Sequence, residues 1–377
     1  LYELNHIMPT FGIDASSANK LKRTGVENYS RNLIQAMKTH ALLEGERVFL
    51  YSNKPLEGDL AKLGEGWESK VLGWPLGGGW MKLRMSWEML RRAPDVLFVP
   101  GQAPPIKSSK NLVTTVHDIG FARRPDLYDS SVRKRLVRST KSAIKKAAKI
   151  LVPSEFTKQE LMEVYRVAAD RMSVTLEAPT AIDPSVTSDA LQRHRLGSHY
   201  FLYVGRLEKK KNVTTLLRAF ELFKDTRGVG DPFELVLVGS PGFGARELTQ
   251  YLKVSKHRAQ IKLLGYRPDN EVQTLIKSAT AFLFPSNYEG FGIPNLDAMR
   301  AGTPLITSDI PPHREVCGDA ALYASPNEPN AWARAMAHIA QDATLREGLV
   351  AKGLERVKMF SWDNTAAKTW EVLRSLV

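Results

Sequence analysis

Short apolar runs of four or five residues recur through this chain, most of them followed by a stretch of helical periodicity, and this alternation restricts the fold more than any other feature. The runs expected as strands are Phe11–Asp14, Val48–Tyr51, Val96–Val99, Leu112–Val116 and Ile150–Val152, then Tyr200–Val204, Glu234–Val238, Ile261–Leu264, Ala281–Phe284 and Pro304–Thr307. Strands alternating with helices pair in parallel and carry helices on both faces, which makes this an α/β chain. Its 377 residues exceed one ordinary core and suit two such domains. Pro179, Pro184, Ser185, Thr187, Ser188 and Gly197 break the apolar periodicity between Ala178 and His199, so the first domain is expected over residues 8–182 and the second over 195–360. Residues 361–377 stand apart: Ala366, Trp370, Val372 and Leu373 form the apolar face of a helix at Trp362–Leu376 that requires a partner.

Ligands of parallel α/β folds sit at the carboxyl ends of strands, so the loops after these runs are where chemistry is sought. After the first strand, Lys22-Arg23-Thr24-Gly25-Val26-Glu27 opens a helix; Thr24 and Glu27 have capping-box spacing, and Gly25 lets a ligand approach electropositive amides. An ordinary strand-to-helix turn would use the same residues. His117-Asp118 follows the Leu112–Val116 run, where an imidazole can donate to a phosphate or a sugar hydroxyl, or serve the structure alone. Tyr200–Val204 runs into Gly205-Arg206-Leu207-Glu208-Lys209-Lys210-Lys211-Asn212, with Asn212 as the expected N-cap of a helix from Val213. Arg206 can fork onto phosphate oxygens and Lys211 can add a point charge, which together suit a diphosphate without a metal. A solvated lysine run accounts for Lys209 and Lys210, whereas Arg206 reads as buried.

The most informative stretch is Asn287-Tyr288-Glu289-Gly290-Phe291-Gly292-Ile293-Pro294-Asn295-Leu296-Asp297-Ala298-Met299. Pro294 suits the first turn of a helix that stops near Gly302-Thr303-Pro304, and Gly290 and Gly292 leave amides at its start open to phosphate. Glu289 precedes the turn and Asp297 lies about one turn inside the helix, so two carboxylates are available for vicinal hydroxyls.

This stretch resembles the E-x7-E motif of the retaining family 4 glycosyltransferases of GT-B fold, in its form E-G-F-G-x-P-x-x-E-A-M. Gly205-Arg206 with Lys211-Asn212 resembles the G-R-x-x-x-x-K-N signature of that family, and Val116-His117-Asp118 its first-domain H-D. The resemblance implies two Rossmann-like domains with parallel sheets facing across a cleft, closing on the donor, and a C-terminal helix that crosses back to the first domain. It implies that Arg206 and Lys211 bind the donor diphosphate, that Glu289 holds sugar hydroxyls, and that Gly290, Phe291, Gly292 and Ile293 present amides to sugar and phosphate. His117 would contact the sugar near its anomeric centre, Gly25 would bring the first domain's loop against the donor phosphates, and Gly205 would be among the donor-binding residues. Asp297 stands where the family has a second glutamate for the ribose, with the charge kept and a methylene of reach lost. Retention by front-face attack needs no side-chain nucleophile, and the chain has no Asp-x-Asp, so neither a cofactor nor a metal is expected. The segments His117–Tyr128 and Pro285–Glu289 are most similar to bacterial mannosyltransferases of surface-polysaccharide assembly, which implies GDP-mannose as donor, with a UDP-sugar fitting the same motifs.

Composition bears on partners and location. With 43% apolar and 25% charged residues the chain is globular, and no run of about 18 apolar residues suggests a membrane span. A single cysteine, Cys317, read as a buried apolar residue, points to a reducing cytoplasm. Residues 1–7 lack the basic start and apolar middle of a secretory signal, and Met8 is a candidate natural beginning. The net charge of +13 is uneven, with 28 basic against 19 acidic residues in 1–180 and 25 against 21 thereafter. Eight cations between Val132 and Lys149, with no acid among them, mark a basic amphipathic helix suited either to the anionic inner face of a membrane, and so to a lipid-linked acceptor, or to solvent alone. Trp74, Trp80 and Trp87, interleaved with Lys82, Arg84, Arg91 and Arg92, suit an interface, a sugar or a core. The alternatives to a transferase are a GT-B epimerase or phosphorylase, a non-catalytic membrane scaffold, and a nucleic-acid binder; the last lacks any recognisable module.

Overall fold

The computed structural model describes residues 8–21, 23, 25–76, 78–180, 190–228 and 230–377. Thr24 of the expected capping box, residues 1–7 and part of the expected linker region, 181–189, lie outside them. The chain forms two compact units. Unit 1 takes the residues up to Ala122, Ser131–Ala178 and Ser361–Val377; unit 2 takes Arg123–Ser130 and Pro179–Phe360.

Unit 1 is built on a parallel sheet of seven strands: β1 (Thr10–Asp14), β2 (Arg47–Ser52), β3 (Trp67–Val71), β4 (Val96–Val99), β5 (Asn111–Thr115), β6 (Lys149–Val152) and β7 (Met172–Val174), ordered β3-β2-β1-β4-β5-β6-β7. Unit 2 carries six: β8 (Tyr200–Val204), β9 (Glu234–Val238), β10 (Ile261–Gly265), β11 (Ala281–Phe284), β12 (Leu305–Ser308) and β13 (Leu322–Ala324), ordered β10-β9-β8-β11-β12-β13. The pairings are all parallel; Ile13 sits between Leu50 and Phe98, and Phe201 between Leu235 and Ala281. Central strands such as β4 and β11 are buried along their whole length, which is why they read as unbroken apolar runs. Each sheet reverses direction of growth once, between β1 and β4 in unit 1 and between β8 and β11 in unit 2. Loops leaving the strands at such a reversal diverge and open a crevice.

Three corrections concern extents. The basic helix runs from Ser130 to Lys146, and Lys149 opens β6, because the buried Ala147 and the strand pairing of Lys149 with Val113 end the helical run. The segment Arg123–Ser130, counted from the sequence with the first domain, clusters with unit 2, where the Lys210 ammonium lies 6.0 Å from the Tyr128 ring. The strand expected over Leu112–Val116 is β5, one residue earlier.

The helix Trp362–Arg374 completes the unit 1 core. Ala366, Trp370 and Leu373 are buried among Phe11, Ile13, Tyr29, Leu33 and Met37; Trp370 stands edge-on to Phe11 at 5.5 Å and its Nε1 donates to the Met37 carbonyl at 3.2 Å. Ser361 caps this helix by accepting from the Asp363 amide at 3.1 Å.

Candidate active site

In unit 2 the strand order places the two charged loops side by side. The loop after β8 is drawn against the loop after β9: the Gly205 amide donates to Val238 O at 3.0 Å, and a side chain on Gly239, whose φ is +142°, would meet Gly205 O at 1.9 Å. Only glycine fits there. The loop after β11 is stitched to the same turn, since the Asn287 amide donates to Lys210 O at 2.9 Å and its side chain to Lys209 O at 3.2 Å. Asn212 sits at the N-cap position with φ +56°, but it does not cap the helix Val213–Asp225. Its Nδ2 donates instead to Pro285 O and Pro326 O, at 3.2 and 2.6 Å, so it ties the loops together.

The product of this stitching is a buried ion cluster. Glu289 is 7% exposed; Lys211 Nζ donates to its Oε1 at 2.5 Å, and Lys210 Nζ lies 3.9 Å from its Oε2. Burial alone would push this carboxyl up, but the Lys211 and Lys210 charges outweigh it and hold the pKa down at about 2, so Glu289 is ionised at any working pH. Lys210, assigned to solvent by the sequence, therefore faces inward. Arg206 is the reverse: expected buried, it is exposed, with its guanidinium 3.6 Å from Glu208. The turn places successive residues on opposite sides, and the apolar slot is taken by Leu207.

Beyond Glu289, Gly290-Phe291-Gly292 turns into the helix Ile293–Arg300 with Pro294 in its first turn. Gly292 has φ +110°, and a side chain there would lie 3.0 Å from Asn295 Nδ2 and 3.3 Å from the His313 ring, so the turn requires glycine. Phe291 is buried edge-on to Phe360 at 5.9 Å. Pro294 has no amide hydrogen and the Asn295 amide donates to Gly292 O at 3.0 Å, so the Gly290–Ile293 turn stands at the positive end of the helix. Asp297 accepts from the Thr180 amide at 2.7 Å and the Thr180 hydroxyl at 3.0 Å, with Arg300 at 3.8 Å. Burial raises its pKa to about 6 against the opposing pull of Arg300 and Thr180. His313, buried behind the turn, bonds through Nδ1 to Thr307 Oγ1 at 2.8 Å; burial depresses it to about 4 and keeps it neutral.

In unit 1, His117 follows β5 at the carboxyl edge of the sheet. Nδ1 lies 3.1 Å from Glu177 Oε1 and Nε2 lies 3.0 Å from Pro100 O, while the Tyr29 ring stands edge-on at 4.6 Å. Burial lowers the histidine pKa, but the Glu177 bond and charge reverse this, and the net shift is upward. Asp118 makes a local turn, accepting from the Gly120 amide at 2.9 Å. Gly25 opens the helix Gly25–Thr39 with nothing within 4 Å of where a side chain would stand. Glu27 accepts from Lys20 Nζ at 2.8 Å.

The structure thus brings Lys211 and Glu289 into direct contact, sets Arg206, Gly205 and the Gly290–Ile293 turn about them in unit 2, and gives His117 and Gly25 to unit 1. Reading the sequence missed Lys210, Glu177, Thr180 and His313. Glu177 had a signal: an acid three residues beyond a strand end, hidden because β7 itself is only three residues long.

Comparison with known proteins agrees with this architecture. Residues 188–356 match the family Glycosyl transferases group 1 and residues 23–184 match Glycosyltransferase Family 4. The O-antigen chain mannosyltransferase B of Escherichia coli is 34% identical over 263 residues, which is 68% of either chain. The O-antigen chain mannosyltransferase RfbU of Salmonella typhimurium is 30% identical over 232 residues, 62% of either chain. The crystal structure of HepE from Anabaena in complex with UDP-glucose superposes with a TM-score of 0.73 at 16% identity, covering 98% of this chain and all of its own. Two parallel-sheet α/β units of GT-B type and these matches along both of them establish that the chain belongs to the family 4, or group 1, glycosyltransferases.

Proposed function

We propose that this glycosyltransferase moves mannose from a nucleoside diphosphate sugar, GDP-mannose, to a growing surface glycan or its lipid-linked precursor, with retention at the anomeric carbon and without a metal or other cofactor. The observation that carries the reading is the Lys210–Lys211–Glu289 cluster beside the exposed Arg206. Two ammoniums against one carboxylate leave a net positive charge, the positive end of the Ile293–Arg300 helix adds to it, and Arg206, beside Glu208 at 3.6 Å, would add its own charge on turning to the phosphates. Such a site stabilises a departing diphosphate by fixed charge. Glu289, permanently ionised, accepts from sugar hydroxyls, and Lys211 shares its ammonium between that carboxylate and the phosphates. His117 serves the sugar end from unit 1, with Gly25 on the phosphate side. Asp297 serves the ribose; its present partner is Thr180, which a ribose hydroxyl would have to replace. Mannose is supported by the names of the two enterobacterial relatives.

A lipid-linked acceptor implies work at the inner face of the cell membrane. Among the described residues no helix is long and apolar enough to cross one. A surface of unit 1 suits lying on it. Leu83, just before the Arg84–Arg92 helix, and Trp87 and Leu90 along it are each more than half exposed, as is Ile106, and Arg91 lies 5.3 Å from the Trp87 ring. Exposed Lys134, Arg135, Arg138, Lys141 and Lys145 add cations from the Ser130–Lys146 helix. Apolar rings and aliphatic tips with a cationic surround match an anionic bilayer surface.

A thermal-shift series with GDP, UDP, ADP and their sugar conjugates in EDTA tests the donor. Selective stabilisation by the guanosine compounds, lost about tenfold in affinity in Lys211→Ala, is the expected result. Stabilisation by uridine compounds would replace the donor. No shift with any nucleotide would sink the reading.

A further inference from the structure

The hydrogen-bond partners of His117 determine its protonation. Pro100 O is a carbonyl and can only accept, so Nε2 at 3.0 Å carries a hydrogen. Glu177 Oε1, 3.1 Å from Nδ1, belongs to a carboxylate, which when ionised also only accepts. With Glu177 as the carboxylate, both ring nitrogens donate, which is the hydrogen-bond pattern of an imidazolium. The other groups facing it agree. Asp118, the next residue, is a further negative charge, and Tyr29, whose hydroxyl is within 3.2 Å of Thr115 Oγ1, presents only its ring. Among the described residues, the side chains that act on the His117 charge are Glu177 and Asp118, and neither is a cation. Glu177 itself is 6% exposed, and the His117 side chain 15%, so the pair is shielded from solvent.

We propose that Glu177 is a positioning residue that keeps His117 doubly protonated, so that unit 1 offers the transfer reaction a fixed cation rather than a proton acceptor. The inference rests on the reading of His117 as a group that serves the donor sugar, and it alters that reading. With both N–H groups spent on Pro100 and Glu177, the imidazole contributes charge to the negative oxygens that develop as the sugar leaves. It does not take the proton of the attacking hydroxyl, which goes to the departing diphosphate. A carboxylate at 177 thus has two effects: it fixes the ring plane through Nδ1, and it raises the pH at which the cation is lost.

The imidazolium is present below the His117 pKa, so turnover is expected to be level at low pH and to fall as pH rises through it. Glu177→Gln removes the charge while keeping the shape, and its amide can donate to a neutral ring; the midpoint should drop, and the alkaline limb of kcat should move to lower pH with it. At pH 8 kcat should fall about tenfold with little change in the donor KM, and lowering the pH should restore it. Glu177→Asp, which keeps the charge, should recover part of the loss. The charge state is measured without any activity, by 15N and 13C NMR titration of ring-labelled histidine in the intact wild-type protein, with His117 assigned by His117→Gln. Imidazolium shifts at neutral pH and a midpoint above the ordinary 6.5 support the proposal. A wild-type midpoint at or below 6.5, or a midpoint unmoved in Glu177→Gln, overturns it. A midpoint that moves while the pH–rate profile does not overturns the part of Glu177 in transfer. Failure of every donor to be turned over would instead strike at the donor reading, and the NMR result would still decide the charge state.

Discussion

Glu177 in unit 1 and Glu289 in unit 2 are both almost fully buried carboxylates a few residues beyond the carboxyl ends of parallel strands, in sheets that share the strand order 3-2-1-4-5-6. Their partners separate them. Glu289 faces two lysines, and their charges hold it ionised. Glu177 faces a histidine, the one side chain whose charge ordinarily changes near neutrality. The comparison teaches that one sheet topology can carry a charge set once and for all, or a charge that pH can remove, and that the choice rests on a single residue type opposite the carboxylate.

The largest expected effect tests the fixed cluster. Glu289→Ala should reduce transfer on the order of 1,000-fold while the far-ultraviolet circular dichroism stays that of the folded protein. Nucleoside diphosphate binding should survive, because both lysines remain. Transfer at the wild-type rate would show that the cluster is only a structural ion pair, and the contrast between the units would lose its meaning. An intermediate effect concerns the exception within unit 2. Asp297 has a pKa of about 6, raised by burial above its ordinary 3.8, so the folded protein binds this proton more tightly than the unfolded chain does. Its contribution to stability therefore falls as pH rises from about 4 to about 6. Asp297→Asn should flatten the change in unfolding free energy across that window, by up to about 3 kcal/mol, as read from melting temperatures, and equal slopes in the two proteins would refute the assignment. The smallest effect lies on the surface. Wild-type protein should float with anionic vesicles in preference to neutral ones, and Trp87→Ser combined with Leu90→Ser should weaken that binding about tenfold. Equal flotation with both vesicle types would remove the lipid surface from unit 1.

How far the sequence could be read depended on burial. The ten strands expected from it are all in place to within about a residue at either end, because a parallel strand covered on both faces is a continuous apolar run. The three that were missed, β3, β7 and β13, are three of the four outer strands of the sheets. Trp67–Val71 is covered on one side and alternates with Glu68 and Lys70, and the other two span three residues each. Charged residues were legible where a motif placed them at a strand end, as for Lys211 and Glu289. Within the lysine run, nothing in the order of residues distinguishes the inward Lys210 from the outward Lys209; the difference arises from Asn287 binding the carbonyls of both, a contact 78 residues away in the chain. Arg206 was misjudged for a related reason: following a buried strand does not bury a side chain when the next residue, Leu207, fills the apolar slot. Thr180 on Asp297, like Glu177 on His117, is a tertiary pairing with no local periodicity to announce it.

The placement of Ser361–Val377 in unit 1 has a consequence for how the protein is made. Synthesis proceeds from the amino end, and domains generally begin folding as they emerge. Unit 2 between Pro179 and Phe360 is complete in the nascent chain before Trp370 has been added, whereas Phe11, Leu33 and Met37 have by then waited through more than three hundred residues of elongation for the side chain that seals them. Begun first, unit 1 is finished last, and during that interval the nascent protein exposes the apolar face that a chaperone would hold.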